Sequence, residues 1–320
     1  MVSKPASNVW ACVIYVQQRR SDWLDGAVDI VSYCFRCDDK NDLSGFRGMK
    51  KLGIALGGGG AKVVAHVLML EALEELGWQP YCIAGTSIGA IVGALCASGI
   101  SAKAMRNDLS AASFTVNGSL VDDVFTKDLS RWWDILELDF SGKGLLDIKD
   151  FLARLESTLK VSSFEELVIP LRIVAADFWK REQIVFESGP LLPAVHASMA
   201  LPGVFQPVQV NGRVLIDGGV VNPVPFDVLP EECDVVVAVD VIGQREPHGE
   251  DTLPSFGNMI FKPVQIFEKS IVREKLRQRA PTIYIEPEIT DIKVLDLYKA
   301  DQIFRQAETD QDRLRAELEK

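Results

Sequence analysis

Long apolar runs are missing: nowhere in the 320 residues do about twenty apolar residues follow one another, so no stretch is expected to cross a bilayer as a helix. Basic charge is short as well. Lys and Arg number 34 against 45 Asp and Glu, a net charge of −11. That balance argues against a nucleic-acid partner and against bulk attraction to an anionic membrane, which leaves only peripheral lipid contact through an apolar or local basic patch. Histidine is scarce, with His66, His196 and His248 the only three. A Ser-His-Asp triad must use one of them, and His248 alone falls in the order serine, acid, histidine. The six cysteines are scattered, and Cys34-Phe-Arg-Cys37 lacks the second pair that a zinc site requires. No metal and no cofactor are therefore expected, and three cysteines in apolar stretches suggest a reducing compartment, the cytoplasm. The apolar stretch Val9 to Val16 follows Lys4 but is short and has no small-x-small cleavage site, so no secretory leader is expected. No internal repeat is visible.

What is present is the composition of a folded protein, 48% hydrophobic and 25% charged, long enough to bury a substantial core. Residues 1 to 48 show mixed polarity and no sustained period, and are read as an N-terminal extension. The folded domain is expected to cover residues 49 to 320. Apolar strand patterns at Leu52 to Leu56, Pro170 to Asp177, Arg213 to Asp217, Asp234 to Ile242 and Thr282 to Ile285 alternate with helical patterns at Val63 to Leu76, Ile88 to Ser98, Phe256 to Arg279 and Asp301 to Lys320. Gln183 to Glu187 reads as a hairpin partner or neighbour of the Pro170 strand. The alternation predicts a mostly parallel sheet covered on both faces. Between Ser113 and Gly144 the pattern blurs, although Trp132, Trp133 and Phe140 keep it apolar. Two readings stand there, an ordinary helical insert and a cap region that opens onto lipid.

Two glycine-rich turns carry the chemistry. Tyr81 to Ala84 runs into Gly85-Thr86-Ser87-Ile88-Gly89 and out into a small-residue helix. A strand-turn-helix of this kind holds its serine in a strained bend with Oγ in the open, at a helix N-terminus that favours nearby negative charge. Ser87 is the candidate nucleophile, the alternative being a helix-capping serine. The other turn, Gly57-Gly58-Gly59-Gly60-Ala61-Lys62, follows the first strand. It lacks the Gly-Lys-Ser/Thr of a P-loop and the third glycine of a dinucleotide fingerprint. What remains is an oxyanion hole, in which unshielded N–H groups converge on one developing charge. Asp217, before Gly218-Gly219 at the end of an apolar strand, is either a base reaching toward Ser87 or a turn aspartate.

Four blocks in this order, Gly57 to Lys62, Gly85 to Gly89, Ala197-Ser-Met-Ala-Leu-Pro-Gly-Val-Phe205 and Asp217-Gly-Gly-Val-Val-Asn-Pro-Val-Pro225, resemble the patatin-like phospholipase family in its bacterial form. The resemblance covers roughly Lys50 to Val241. It implies a three-layer α/β/α fold, a dyad of Ser87 as nucleophile and Asp217 as proton acceptor, an oxyanion hole from Gly58, Gly59 and Gly60, and lipid acyl-ester hydrolysis. Lys62 and Val63 stand where the family usually has arginine and glycine. Two other functions are weighed beside it: an esterase or thioesterase for small soluble acyl substrates, and an idle lipid- or partner-binding protein in which Val63 has spoiled the loop.

Overall fold

The computed structural model describes residues 50–116, 149–242, 256–290, 292 and 299–320. The expected extension, most of the expected cap region and His248 lie outside the described residues.

An eight-stranded sheet organises the rest: β1 (Leu52–Leu56), β2 (Cys82–Thr86), β3 (Leu171–Asp177), β4 (Glu182–Phe186), β5 (Val208–Val210), β6 (Arg213–Asp217), β7 (Val235–Val239) and β8 (Ile283–Ile285). The helices are α1 (Val64–Glu75), α2 (Ile88–Ala97), α3 (Ala102–Val116), α4 (Lys149–Leu159), α5 (Leu191–Met199), α6 (Phe256–Gln278) and α7 (Ala300–Leu318). β3, β2, β1, β7 and β8 lie side by side and parallel, as βαβ crossovers require.

Residue alternation explains the layers. Leu52, Ile54 and Leu56 of β1, Ile83 of β2, Ile173 of β3 and Val237 of β7 face one way, into a core shared with α1 to α5 and α7. α1 is apolar around most of its circumference and is buried between the sheet and α7, whose Gln311 Nε2 donates to the Leu68 carbonyl at 3.0 Å. The opposite face of the sheet carries small side chains, Ala55, Cys82, Ala84 and Ala238, and this lets the 224–229 segment and Val272 of α6 pack closely on it. The fold is therefore three-layer α/β/α with a mostly parallel sheet.

The antiparallel part decides where the site lies. β4 pairs with one edge of β3 over Ile173 to Asp177. The other edge is shared: β2 occupies it from Leu171 to Val174, and β6, running the opposite way, from Ala175 to Asp177. Thr86 ends β2 opposite Val174, and Asp217 ends β6 opposite Ala175. Two strands thus meet end to end along β3, with Ser87 and Asp217 at the junction.

Candidate active site

Ser87 leaves β2 with φ 57° and ψ −129°, a conformation that costs a non-glycine residue about 1–3 kcal/mol and persists only where the surroundings enforce it. They do so here. The Ser87 N–H donates to Ser198 Oγ at 2.8 Å, and Ser198 Oγ in turn donates to the Val174 carbonyl at 2.6 Å. Gly89, two residues on, lies so close to the Leu56 and Gly57 carbonyls that any side chain would strike them. The serine is therefore clamped between β1, β3 and α5.

Its hydroxyl is directed at Asp217: Oγ donates to Oδ2 at 2.6 Å. The other carboxylate oxygen, Oδ1, accepts from the Gly219 N–H at 2.7 Å. Asp217 is only 2% exposed, and loss of solvation lifts its carboxyl from the usual range to about 6, against the opposing pull of the two hydrogen bonds. A carboxylate tuned to that value is a competent proton acceptor near neutral pH, which an ordinary aspartate is not. Behind it stands Glu268 of α6, whose Oε1 occupies the space beside Gly219. Burial and the neighbouring charges of Asp217 and Asp240 hold Glu268 protonated up to about 8.

The glycine loop passes directly over the serine, for a Cβ placed on Gly58 would stand 3.3 Å from Ser87 Cβ. Its donors divide into two groups. Gly57 N–H donates to the Val239 carbonyl at 3.0 Å, and Gly58 N–H to the Pro223 carbonyl at 2.9 Å. The Gly58 N–H, expected as an oxyanion donor, is thus engaged within the protein, and Gly59 and Gly60, both partly exposed, are the other two candidate donors. A side chain on Gly59 would collide with the Val241 carbonyl. Val63 has φ −55° and ψ −23°, ordinary helical backbone that does not require glycine, so its departure from the family pattern leaves the loop's exit unstrained.

Histidine has a different place here. His66 is fully buried in α1, where its Nε2 pairs with the Gly57 carbonyl at 2.8 Å, and desolvation lowers it to about 4. It is a neutral prop beneath the glycine loop, and the contact of Ser87 with Asp217 is direct.

Several residues of the site carried no assigned role in the sequence reading. Ser198 and Asn222 lie within the motifs Ala197–Phe205 and Asp217–Pro225. The Asn222 carbonyl accepts from Thr86 Oγ1 at 2.8 Å, and its amide donates to Gln183 Oε1 at 2.7 Å and Asp227 Oδ1 at 2.9 Å. Lys275 Nζ binds Asn222 Oδ1 and donates to the Val224 carbonyl at 2.8 Å. This network fixes the segment whose Pro223 carbonyl receives Gly58. Glu268 and Lys275 lie in a helix whose sequence offers no motif.

An α/β sheet bearing a strained elbow serine, bonded directly to a buried aspartate beneath a glycine loop, defines the class. The chain belongs to the patatin-like phospholipase family, whose model matches residues 54–230. An uncharacterized NTE family protein of Mycobacterium bovis is 31% identical over 234 residues, 71% of this chain and 60% of that protein. The lysophospholipase NTE1 of Debaryomyces hansenii is 27% identical over 278 residues, 80% of this chain and 17% of that protein. The chain thus spans less than two thirds of these relatives' lengths. Among solved structures, VipD from Legionella pneumophila aligns over 81% of this chain and 67% of its own, at 14% identity and a TM-score of 0.39. Among the described residues, no helix is long and apolar enough to cross a membrane.

Proposed function

We propose that the chain is a serine lipid acyl hydrolase that cleaves carboxylic ester bonds of phospholipids or lysophospholipids. The observation that carries this reading is the 2.6 Å bond from Ser87 Oγ to a buried carboxylate, made from a strained turn. Asp217 takes the Ser87 proton as Oγ attacks the ester carbonyl. The N–H groups of Gly59 and Gly60 receive the tetrahedral oxyanion, and the proton held by Asp217 passes to the departing alcohol. Water, deprotonated by the same carboxylate, then attacks the acyl-serine; the carbonyl re-forms, the fatty acid leaves and the proton returns to Oγ. The lysophospholipase name of the Debaryomyces hansenii relative supports the lysophospholipid branch of the substrate class.

The test is labelling with a fluorophosphonate, followed by lipid-class profiling of wild type and Ser87→Ala. Covalent labelling at Ser87, with release of fatty acid by wild type alone, is expected. Folded wild-type protein that takes no label would overturn the reading. A comparison of micellar and monomeric esters then separates a lipid hydrolase from an esterase for small soluble substrates.

A further inference from the structure

The turn between β3 and β4 carries side chains that neither the core nor the site uses. β3 continues three residues past Val174, the position opposite the end of β2. At about 3.3 Å per residue, its tip stands ~10 Å beyond the serine turn along the strand direction, at the same end of the sheet. There Phe178 is 48% exposed and Trp179 74%, in an edge-to-face pair with centroids 4.9 Å apart. Lys180 and Arg181 follow, both exposed.

The turn is firmly built. Asp177 Oδ1 accepts from the N–H groups of Trp179 at 3.1 Å and Lys180 at 2.9 Å. Arg181 N–H closes on the Asp177 carbonyl at 2.8 Å, and Phe178 N–H donates to the Val214 carbonyl at 2.9 Å on β6. Arg213 braces Asp177 and Glu182 from the neighbouring strand, at 3.3 and 2.9 Å. Two large aromatics are therefore held out in solvent by a structured turn, although burying them would release apolar surface from water.

Tryptophan favours the boundary between headgroups and acyl chains, and adjacent Lys and Arg attract anionic headgroups. The chain's net charge of −11 opposes any bulk attraction to such a surface, so two cations beside an aromatic pair give one tip a local complementarity that the whole molecule lacks. We propose that Phe178-Trp179-Lys180-Arg181 is the element that docks this protein on the surface of an anionic phospholipid bilayer, placing the sheet edge that bears Ser87 toward the lipid. The proposal rests on the lipid-hydrolase reading for its purpose, and its test is independent of it.

The test is co-sedimentation of the full chain with vesicles of equal parts phosphatidylcholine and phosphatidylserine, and with vesicles of phosphatidylcholine alone. Wild type, Ser87→Ala, the double variant Phe178→Ser with Trp179→Ser, and Lys180→Glu with Arg181→Glu are compared. Wild type and Ser87→Ala should bind the mixed vesicles equally. Loss of the aromatics should weaken binding on the order of tenfold or more. The charge reversal should abolish the preference for mixed vesicles and its salt sensitivity. The two hairpin variants should melt with wild type and hydrolyse a monomeric short-chain ester at its rate. Absence of wild-type binding, or hairpin variants that bind as wild type does, would overturn the proposal. If wild type binds through the hairpin but hydrolyses no ester, the hydrolase reading fails and the docking surface stands.

Discussion

In the proposed mechanism Ser87 and Asp217 acquire together a chemistry that neither has alone. A serine hydroxyl is a poor nucleophile, and an aspartate in water is too weak a base to help it. Burial at the end of β6 removes the second limitation by raising Asp217 to about 6. The strained turn removes the first by fixing Oγ at 2.6 Å from Oδ2. Ser87→Ala and Asp217→Asn should each lower turnover by on the order of 10⁴-fold, and the double variant hardly further, because both residues act in one step. Steady-state kinetics on a soluble ester checks this, and robust activity of Asp217→Asn would mean that another group takes the proton. Asp217 must be ionised to accept, so kcat/KM should rise as pH increases through about 6 and level off above it. A profile still rising steeply well above that point would exclude Asp217 as the base.

At the scale of elements, the site is a meeting of loops whose geometry β1, β2, β3 and α5 impose. Ser198 of α5 ties the Ser87 N–H to the Val174 carbonyl. Ser198→Ala takes the shared hydroxyl from the buried Val174 carbonyl and the half-buried Ser87 N–H, a loss of about 1–3 kcal/mol. It should also lower kcat by roughly tenfold with the pH profile unmoved, since the serine shifts while its base stays. An intact kcat with a lowered melting temperature would make Ser198 purely structural. Gly59→Ala forces the loop away from the Val241 carbonyl and should depress kcat on the order of 10²-fold while KM changes little; a change confined to KM would mean that the loop binds substrate rather than the oxyanion. Much of this was legible beforehand, because apolar runs bounded by glycine mark β1 and β6 at their observed ends, Leu52–Leu56 and Arg213–Asp217. β5 was not legible. Val208–Val210 is too short for a period to show, and it becomes a strand only through nonlocal pairing with β6. The Asn211-Gly212 turn joining them, with both φ positive, is a hairpin signature that would have revealed the antiparallel pairing of β5 with β6. Glu268 and Lys275 were invisible for another reason: a carboxylate and an amine on a long helix look like solvated residues until tertiary packing brings them against Gly219 and Asn222.

For the whole molecule, tuning the site has consequences for stability that can be measured without substrate. His66 is held neutral by burial, with its native value near 4. Below the ordinary histidine value near 6.5, the unfolded chain takes up a proton that the native state refuses, so this contribution is full above that point and is lost as pH falls toward 4. At 1.4 kcal/mol per pH unit the loss is about 3 kcal/mol. Asp217 runs the other way. Its native value near 6 lies above that of the unfolded chain, so its contribution is full at acid pH and is lost as pH rises through 6, again by about 3 kcal/mol. Over much of the range between about 4 and 6.5 the two oppose one another, and the wild type hides both. Asp217→Asn removes the second while leaving the first, and it also removes a charge that lifts Glu268. The variant should therefore melt above wild type at neutral pH, lose that advantage on acidification toward 4, and show the decline that His66 imposes. Thermal melts of both proteins across about pH 4 to 8 read this directly. An Asp217→Asn protein that melts below wild type at neutral pH would show that the ionised carboxylate supports the fold rather than straining it.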